Sequence, residues 1–297
     1  MGASTATDQQ VGAAVPQNVI KAFESMAELT SLPEVTSKIV EIVEDPRASA
    51  RDMHDIVRTD PPLAAKILKV VNSAFYGLPA QVASLDRAIL MLGLSAVKNI
   101  TLAASLSRMF KADAVSDQFS ARDIWRHSVG VGVCAREVAR LGGAQNSEEF
   151  FVSGLVHDVG LIVSHQLFPD ESREIIERCY SETQDFLAIE RELIGADHQQ
   201  LGGLLAAKWK FPASLRLAMT HHHKAVSVAP EHQQGVATIG VADTLCALHQ
   251  EGFWLTGASQ QMSDSLLSFA GVTAEQVEEL GETLRERIDE AERIFAE

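Results

Sequence analysis

The 297-residue sequence contains little cysteine and few basic residues. Cys134, Cys179 and Cys246 are far apart and form no Cys-x-x-Cys pair, which argues against a disulfide framework or a cysteine zinc site. This cysteine usage favours a reducing compartment, and we predict a cytoplasmic protein. Lys and Arg total 25 against 40 Asp and Glu, a net charge of −15. Because such a surface repels phosphate backbones, no nucleic acid partner is predicted.

Long apolar runs are also missing. No uninterrupted stretch of about 18 apolar residues occurs, so we predict no membrane span. The N-terminal residues up to Gln17 are small and polar, without the basic and apolar regions of a secretory signal. The hydrophobic fraction of 46% is nevertheless ample for a folded core.

The apolar and polar alternation that is typical of strands is absent, and helical periodicity takes its place. Ser49, Asp60 and Ser84 each precede an apolar helical stripe in a position where they can cap a helix. Residues 146–164 are predicted to form one helix, and a capping box at Thr273 predicts a helix that reaches Ile294. The predicted fold class is all-α.

A polar stretch at residues 111–120 divides the helical pattern. We predict an N-terminal helical subdomain over residues 17–112 and a second helical domain over residues 120–250. A C-terminal helical extension over residues 251–297 would follow.

Histidine is abundant, with ten residues, and several lie beside acidic residues in apolar helices. Neighbouring His157 and Asp158 follow His127 along the chain, and Asp243 comes later in an apolar helix. Imidazole nitrogens suit Fe, Mn, Ni, Co and Zn, and a carboxylate can bridge two ions. On a regular helix, His157 and Asp158 would point about 100° apart and could serve two edges of one cluster. The pattern predicts a centre of two divalent ions with Asp158 as the bridging, catalytic residue.

Simpler interpretations exist for each residue alone. Asp123 lies four residues before His127 and could be a ligand, a partner that orients the imidazole, or the cap of the helix that starts near Ile124. A lone His127 would usually be a hydrogen-bonded core residue, and the run His221-His222-His223 could be a solvated helix end. The joint order of His, His-Asp and Asp favours the metal interpretation.

That order resembles the HD superfamily of metal-dependent phosphohydrolases. Several further segments resemble the HDOD family within that superfamily, and the resemblance covers about residues 17–250. The segments are LP at 32–33, DPPLA at 60–64, NSAFYG at 72–77, SLDRAI at 84–89, LG at 92–93, ELIGADH at 192–198 and WKFP at 209–212.

The resemblance implies an N-terminal helical bundle subdomain packed on a C-terminal HD-type metal-binding domain. It also implies two sets of metal ligands, and the second set includes two adjacent histidines that follow Trp209. The first set is His127, His157, Asp158 and Asp243, and the second is His198 with His222 and His223. The alternative register, His221 with His222, remains open.

Two departures from the related GYP-type cyclic-di-GMP phosphodiesterases matter. Their HDxGK motif has a phosphate-binding lysine where this chain has Leu161, and the GYP motif is absent. Lys224 or Arg126 would have to supply the missing charge. The resemblance implies an HDOD signalling protein with an HD-type metal centre that acts as a metal-dependent phosphohydrolase on a phosphoester or nucleotide. The alternative is a non-catalytic signalling or scaffold module whose metal is structural or absent. The expected partner is a signalling protein or a phosphorylated small molecule.

Overall fold

The computed structural model describes residues 15–26, 32–43, 45, 47–73, 76–107, 115–182 and 184–296. Within these ranges the chain forms seventeen α-helices and one short 3₁₀ turn, and it contains no β-strand. The all-α prediction is confirmed. The predicted boundary at residue 112 and two positions of the 72–77 segment, Ala74 and Phe75, lie outside the described residues.

The N-terminal helices are α1 (Gln17–Ser25), α2 (Glu34–Val43), α3 (Ala50–Val57), α4 (Pro61–Val71), α5 (Leu85–Leu92) and α6 (Leu94–Leu106). The central helices are α7 (Ala121–Leu141), α8 (Ser147–Val156), α9 (Val159–Leu167), α10 (Pro169–Glu182), α11 (Phe186–Leu193), α12 (His198–Lys208) and α13 (Ala213–His221). The last helices are α14 (Pro230–Leu248), α15 (Asp264–Ala270), α16 (Ala274–Glu282) and α17 (Leu284–Ala296).

The predicted helix caps are present at the N-termini of α3, α4 and α5. The Asp60 carboxylate accepts a hydrogen bond from the Leu63 N–H at 3.0 Å. The hydroxyls of Ser49 and Ser84 accept from backbone N–H groups in the first turns of α3 and α5. Each cap pairs an N–H group that has no partner inside its own helix, which is why these residue types mark helix starts.

Helix α6 joins the N-terminal helices to the rest of the molecule. Every residue from Ala96 to Leu106 is buried, so the helix is covered on all sides. It packs against α2, α4 and α5 and also against α8. One hydrophobic cluster therefore continues from Val15 to Ile294, and the N-terminal helices share their core with the helices that carry the predicted ligands. The domain boundaries themselves stay a prediction.

Helix α7 is the central support of the second half. It runs for 21 residues and packs against α8, α14 and α17. A second hydrophobic cluster, which includes Val131, Val241 and Ile288, fills the space between α7 and the last four helices. This packing fixes the relative positions of α7 and α14.

Two helix predictions are wrong in the same way. The expected helix over residues 146–164 is broken at His157 and Asp158, and the expected terminal helix is broken at Thr283. At the first break the chain passes close to the start of α12: a Cβ on Gly160 would lie 1.9 Å from the His198 carbonyl oxygen. Apolar residues keep the spacing that is typical of a helix on both sides of each break, so periodicity alone does not reveal the breaks.

The segment Ser147–Leu167 is long and apolar enough to cross a membrane by mean hydropathy, although it contains no uninterrupted apolar run. In the folded chain 72% of its most apolar window is buried inside the molecule. Polar His157 and Asp158 interrupt it in the middle. These features are those of a core helix pair, and they make the segment weak evidence for a membrane span.

Candidate metal centre

The structure brings the seven predicted ligand side chains together in the interior. They come from α7, the turn between α8 and α9, the start of α12, the turn after α13 and the second half of α14. At most 2% of any of the seven side chains is exposed. The residues are His127, His157, Asp158, His198, His222, His223 and Asp243.

Asp158 lies between the two predicted ligand sets. Its Oδ2 is 3.4 Å from the Nε2 of His157. Its Oδ1 is 3.4 Å from the Nε2 of His198 and 3.2 Å from the Nε2 of His222. One carboxylate therefore faces both sets with different oxygens, which is the placement that a bridging ligand requires.

Asp243 lies on the opposite side of the cluster. Its Oδ1 is 3.0 Å from the Nε2 of His127 and 3.8 Å from the Nε2 of His157. Its Oδ2 is 3.5 Å from the Nδ1 of His223. Asp158 and Asp243 thus contribute all four carboxylate oxygens of the cluster.

Four imidazoles are held from behind, so that Nε2 points toward the carboxylates. Each Nδ1 lies within hydrogen-bond distance of an acceptor, to which an Nδ1–H would donate. The acceptors are the Glu251 carbonyl for His127 (3.1 Å), the Gly154 carbonyl for His157 (2.7 Å), the Glu190 carboxylate for His198 (2.7 Å) and the Ala218 carbonyl for His222 (2.7 Å). Such bonds select the tautomer with a free Nε2, as metal-binding histidines need.

Three buried polar atoms in the cluster have no hydrogen-bond partner among the described residues. They are His157 Nε2, Asp158 Oδ1 and Asp243 Oδ2. Leaving such atoms unpaired is unfavourable in a protein interior. Three groups of His and Asp ligand atoms lie within 4.8 Å of one another, and Asp158 belongs to two of them. The residues therefore fit divalent cations, which would satisfy the three free atoms.

The titration of the cluster follows from the same geometry. Burial lowers the pKa of His157, but the adjacent Asp158 carboxylate outweighs burial and, with Asp243, raises it to about 10. Burial likewise opposes the charged form of His198, while Glu190 and Asp158 raise its pKa to about 9. Burial alone would raise the pKa of Asp158, but His157 and His198 hold it well below its usual range. In the absence of metal, protons on two histidines thus balance the buried carboxylates.

The residues predicted around the ligands have different positions. Asp123 belongs to the cap of α7, although the N-cap itself is Ser120 and the helix starts at Ala121: Asp123 completes a capping box, in which its Oδ2 accepts from the Ser120 N–H and hydroxyl, both at 2.7 Å. Arg126 donates to the carboxylates of Glu251, Asp289 and Glu292 and so lies behind His127.

The other two candidates lie near the end of α13. The Nδ1 of His221 is hydrogen-bonded with the Thr220 hydroxyl at 2.6 Å. His222 and His223 are the adjacent pair that faces the cluster, and His221 is in none of the candidate ligand groups of the described residues. Lys224 is exposed.

Besides Gly154 and Ala218, three residues that contact the ligands were not predicted. Glu190 receives the Nδ1 bond of His198, and Glu251 receives that of His127. Thr256 donates its hydroxyl to Asp158 Oδ2 at 3.0 Å and is fully buried. Glu190 is an acidic residue on the buried side of α11, and this position in the helical pattern could have predicted its contact with a ligand. Thr256 lies in an irregular segment, where no periodicity points to it.

An open cavity of about 370 Å³ reaches the cluster from one side. His222, His223 and Lys224 are among the residues that line it. Polar residues of the segment before α15, including Ser259 and Gln260, also line it, together with apolar residues such as Val226 and Phe269.

Comparison with known proteins identifies the family. The HDOD domain model matches residues 29–225, which is well over half of the chain. An uncharacterized protein of Treponema pallidum (strain Nichols) is 24% identical over 274 residues and covers 88% of this chain. The chain spans about half the length of that curated relative, 52%.

Solved structures share the fold. An HDOD domain protein of unknown function from Geobacter sulfurreducens has 24% identity and a TM-score of 0.76, with 93% of this chain and 97% of that chain covered. A proposed signal transduction protein from Marinobacter aquaeolei VT8 has 23% identity and a TM-score of 0.77, with 98% and 66% covered. A proposed phosphohydrolase from Shewanella amazonensis SB2B has 20% identity and a TM-score of 0.73, with 94% and 98% covered.

Proposed function

Because this chain belongs to the HDOD family, we propose that it is a signalling protein with an HD-type metal centre that hydrolyses a phosphoester or nucleotide. One observation carries the proposal: seven buried His and Asp side chains converge, and three of their polar atoms lack a partner among the described residues. The names of the Marinobacter and Shewanella proteins agree with signalling and phosphohydrolase roles, respectively.

Two ligand sets would hold two divalent ions. His127, His157 and Asp243 would hold one, and His198, His222 and His223 would hold the other, with Asp158 shared between them. Nitrogen and oxygen ligands in this mixture suit Fe, Mn, Ni, Co or Zn. Bound there, the ions would lower the pKa of a water molecule and neutralise charge on a phosphoester.

The chain's own residues would supply orientation and access. The four Nδ1 hydrogen bonds keep the imidazoles in place, and the shared Asp158 keeps the two sets together. The cavity that His222 and His223 line would admit a phosphorylated small molecule, and the Lys224 ammonium on its wall would attract the phosphate. This local charge matters because the chain as a whole carries −15.

An activity assay tests the proposal. Protein loaded with Mn²⁺ or Fe²⁺ is assayed against cyclic dinucleotides, nucleotides and a generic phosphodiester. We expect turnover that depends on metal, with a loss of at least about a thousandfold in Asp158→Asn, since that variant removes the shared carboxylate charge. Turnover that is equal in wild type and Asp158→Asn would contradict the proposal.

Lys224 offers a finer test. Replacing Lys224 with Gln removes a charge from the cavity wall without touching the metal ligands. We expect KM for an anionic substrate to rise by about tenfold while kcat changes little, since one charge–phosphate contact of this kind is worth on the order of 1.4 kcal/mol. Lys210→Gln, at the turn between α12 and α13, is the matched control. A kcat that falls with KM unchanged would argue against this role.

A non-catalytic signalling module is the second candidate, and the position of Leu161 favours it. This residue replaces the lysine of HDxGK and is buried in the hydrophobic core. Arg126 cannot replace that lysine, since three carboxylates hold its guanidinium. For this candidate, metal-loaded protein would show no turnover but would co-purify with a defined signalling partner.

We also propose a cytoplasmic location. The three cysteines are buried and unpaired, which supports a reducing compartment. Labelling of unfolded protein isolated from cells with a thiol reagent checks this: three reactive thiols per chain are expected, and fewer would argue against it.

A further inference from the structure

A small cavity lies where the N-terminal helices meet the second half of the molecule. Its volume is about 80 Å³, which is the space of roughly three water molecules. Residues of α6, α8 and α13 surround it, and none of the seven predicted metal ligands lines it. We call it the junction cavity, and its polar lining residues are Ser95, Asn99, Asn146, Glu149 and Ser214.

The Asn99 side chain is buried at the junction cavity. Ser95, Asn99 and Leu102 follow one another at helical spacing along α6, and all three line the cavity, so this face of α6 is turned toward it. Only 5% of Asn99 is exposed, and its amide makes no hydrogen bond with any residue that the structure describes. Leaving an amide unpaired in a protein interior is unfavourable. The partner of this amide is therefore a molecule that occupies the cavity.

Three helices begin at the junction cavity without a side-chain cap. Ser95 is in the first turn of α6, Asn146 directly precedes α8, and Pro212 directly precedes α13. The residue before each of these helices makes no capping hydrogen bond with its side chain, in contrast to the residues that cap α3, α4 and α5. Unpaired N–H groups and the helix dipole give such N-termini a partial positive charge. They favour a negatively charged group on the ligand.

A carboxylate without a cationic partner also lines the junction cavity. Glu149, in the first turn of α8, is half-buried, and its side chain makes no hydrogen bond or ion pair with a described residue. Its neighbour Glu148 differs, because it accepts from Arg136 at 3.3 Å and from the Tyr76 hydroxyl at 3.0 Å. Glu149 and the net charge of −15 would both repel a purely anionic ligand. The cavity therefore favours a ligand that carries a positive group as well.

We propose that the junction cavity binds a small α-amino acid in its zwitterionic form. The carboxylate of the ligand lies at the N-termini of α8 and α13 and accepts from the Asn99 amide, and its ammonium group donates to Glu149. The volume of about 80 Å³ admits glycine or alanine but no long side chain. This site is separate from the metal centre, so the proposal goes beyond the proposed function and does not depend on it.

Calorimetric titration of the full chain with small probes tests the proposal. Glycine and L-alanine carry both charges, whereas acetate carries only the negative group and methylammonium only the positive one. We expect glycine or L-alanine to bind with a Kd below about 1 mM, which is within reach of so small a ligand. Acetate and methylammonium should bind at least about tenfold more weakly, because each lacks one charged hydrogen bond. L-Leucine tests the size limit and should not bind.

Substitution of Glu149 separates the two charges. Glu149→Gln removes the partner of the ammonium group, so Kd for glycine should rise by at least about tenfold. Acetate should bind this variant more tightly than it binds wild type, because the repelling carboxylate is gone. Glu171→Gln is the matched control, since Glu171 is likewise the half-buried third residue of its helix, α10, which contributes nothing to the junction cavity. It should bind every probe as wild type does.

Substitution of Asn99 tests the buried amide. Asn99→Leu keeps a side chain of similar size but removes the amide, so Kd for glycine should rise by at least about tenfold. The thermal unfolding midpoint without ligand should not fall, because the amide has no partner among the described residues to lose. Near-ultraviolet circular dichroism checks the fold of each variant, and Glu149→Gln gives an independent test.

Several results would overturn the proposal. Failure of glycine and L-alanine to bind at up to about 10 mM would leave water as the partner of Asn99. Acetate or methylammonium that binds as tightly as glycine, or an unchanged Kd for glycine in Glu149→Gln, would also overturn it. The titrations need no metal, so a protein that binds glycine but no divalent ion would keep this inference and lose the proposed function.

Discussion

The two halves of the molecule place their ion pairs in different surroundings. In the N-terminal helices the pairs lie on the surface, as between Lys38 and Glu34, whose side chains are 49% and 81% exposed. The second half also has exposed pairs, but in addition it has buried ones: His127 and Asp243 are 1% and 0% exposed. The carboxylate of Glu251, which pairs with Arg126, is 2% exposed.

The difference shows that charge has different tasks in the two halves. The N-terminal helices are stabilised by apolar burial around α6, and their surface pairs add little. The second half buries carboxylates that must be compensated by cationic partners, because an unpaired buried charge is strongly destabilising. Metal, pH and Arg126 should therefore change the stability of the molecule through the second half, whereas the surface pairs of the first half should change it little.

Metal should have the largest effect. An ion that binds only the folded chain stabilises it by about 4 kcal/mol when its free concentration is a thousand times Kd, and two ions add their contributions. Denaturant unfolding of metal-free and Mn²⁺-saturated protein measures the shift. An equal free energy of unfolding in both samples would contradict this expectation.

Loss of Arg126 should come next. In Arg126→Gln the buried carboxylates of Glu251 and Glu292 lose their shared partner. Removing one partner of a buried ion pair usually costs about 3–5 kcal/mol. We expect the free energy of unfolding to fall by about 3 kcal/mol, at the low end of that range, because Arg285 still pairs with Glu251.

Arg122→Gln is the control for that change. Arg122 pairs with the same Glu292 at 3.0 Å, but 80% of its side chain is exposed. Because solvent screens exposed pairs, Arg122→Gln should have a far smaller effect. Equal losses in the two variants would remove the distinction between buried and exposed pairs in this half.

A change of pH by one unit should have a smaller effect on metal affinity than the changes above have on the free energy of unfolding. His157 and His198 have pKa values raised to about 10 and 9, so both carry protons at neutral pH when metal is absent. An ion must displace these protons, and apparent affinity should rise with pH by up to about tenfold per unit and per proton until pH passes these values.

Calorimetry in two buffers of different ionisation enthalpy counts the displaced protons. We expect about two protons released per chain on saturation near pH 7, one from each raised histidine. A titration without proton release would show that these histidines are already neutral.

The smallest effect is expected at the surface of the N-terminal half. Lys38→Ala removes a pair in which both side chains are largely exposed. The unfolding midpoint should not change measurably, with or without metal, because exposed pairs of this kind contribute little. A clear loss of stability would mean that surface charge matters in this half as well.

Local signals made much of the fold predictable. Asp60 and Ser49 are capping residues next to clear apolar stripes, and the structure uses both as caps. The breaks at His157 and at Thr283 were not predictable from helical periodicity, and next to the first break the Gly160 backbone packs closely against an element distant in the chain. A Gly160 backbone that touches the start of α12 has no signature in the residues around it.

The candidate site shows the same limit. The order of His127, His157, Asp158 and Asp243 indicated a cluster, and their side chains do converge. The sequence did not predict the residues that orient these side chains. The hydrogen bonds to the Glu251 carbonyl and from the Thr256 hydroxyl depend on an irregular segment, which has no periodicity. The capping role of Asp123 was one of several alternatives, and only the Ser120 bonds decide between them.

The location of α14 has a practical consequence for anyone who trims this chain. The family-matched segment stops at residue 225, whereas Asp243 and the contacts of Glu251 and Thr256 come afterwards. An expression clone cut at the end of the matched segment would retain five histidines and one aspartate of the cluster but would lack the helix that faces them. Such a fragment is a poor reagent for asking what the intact chain binds.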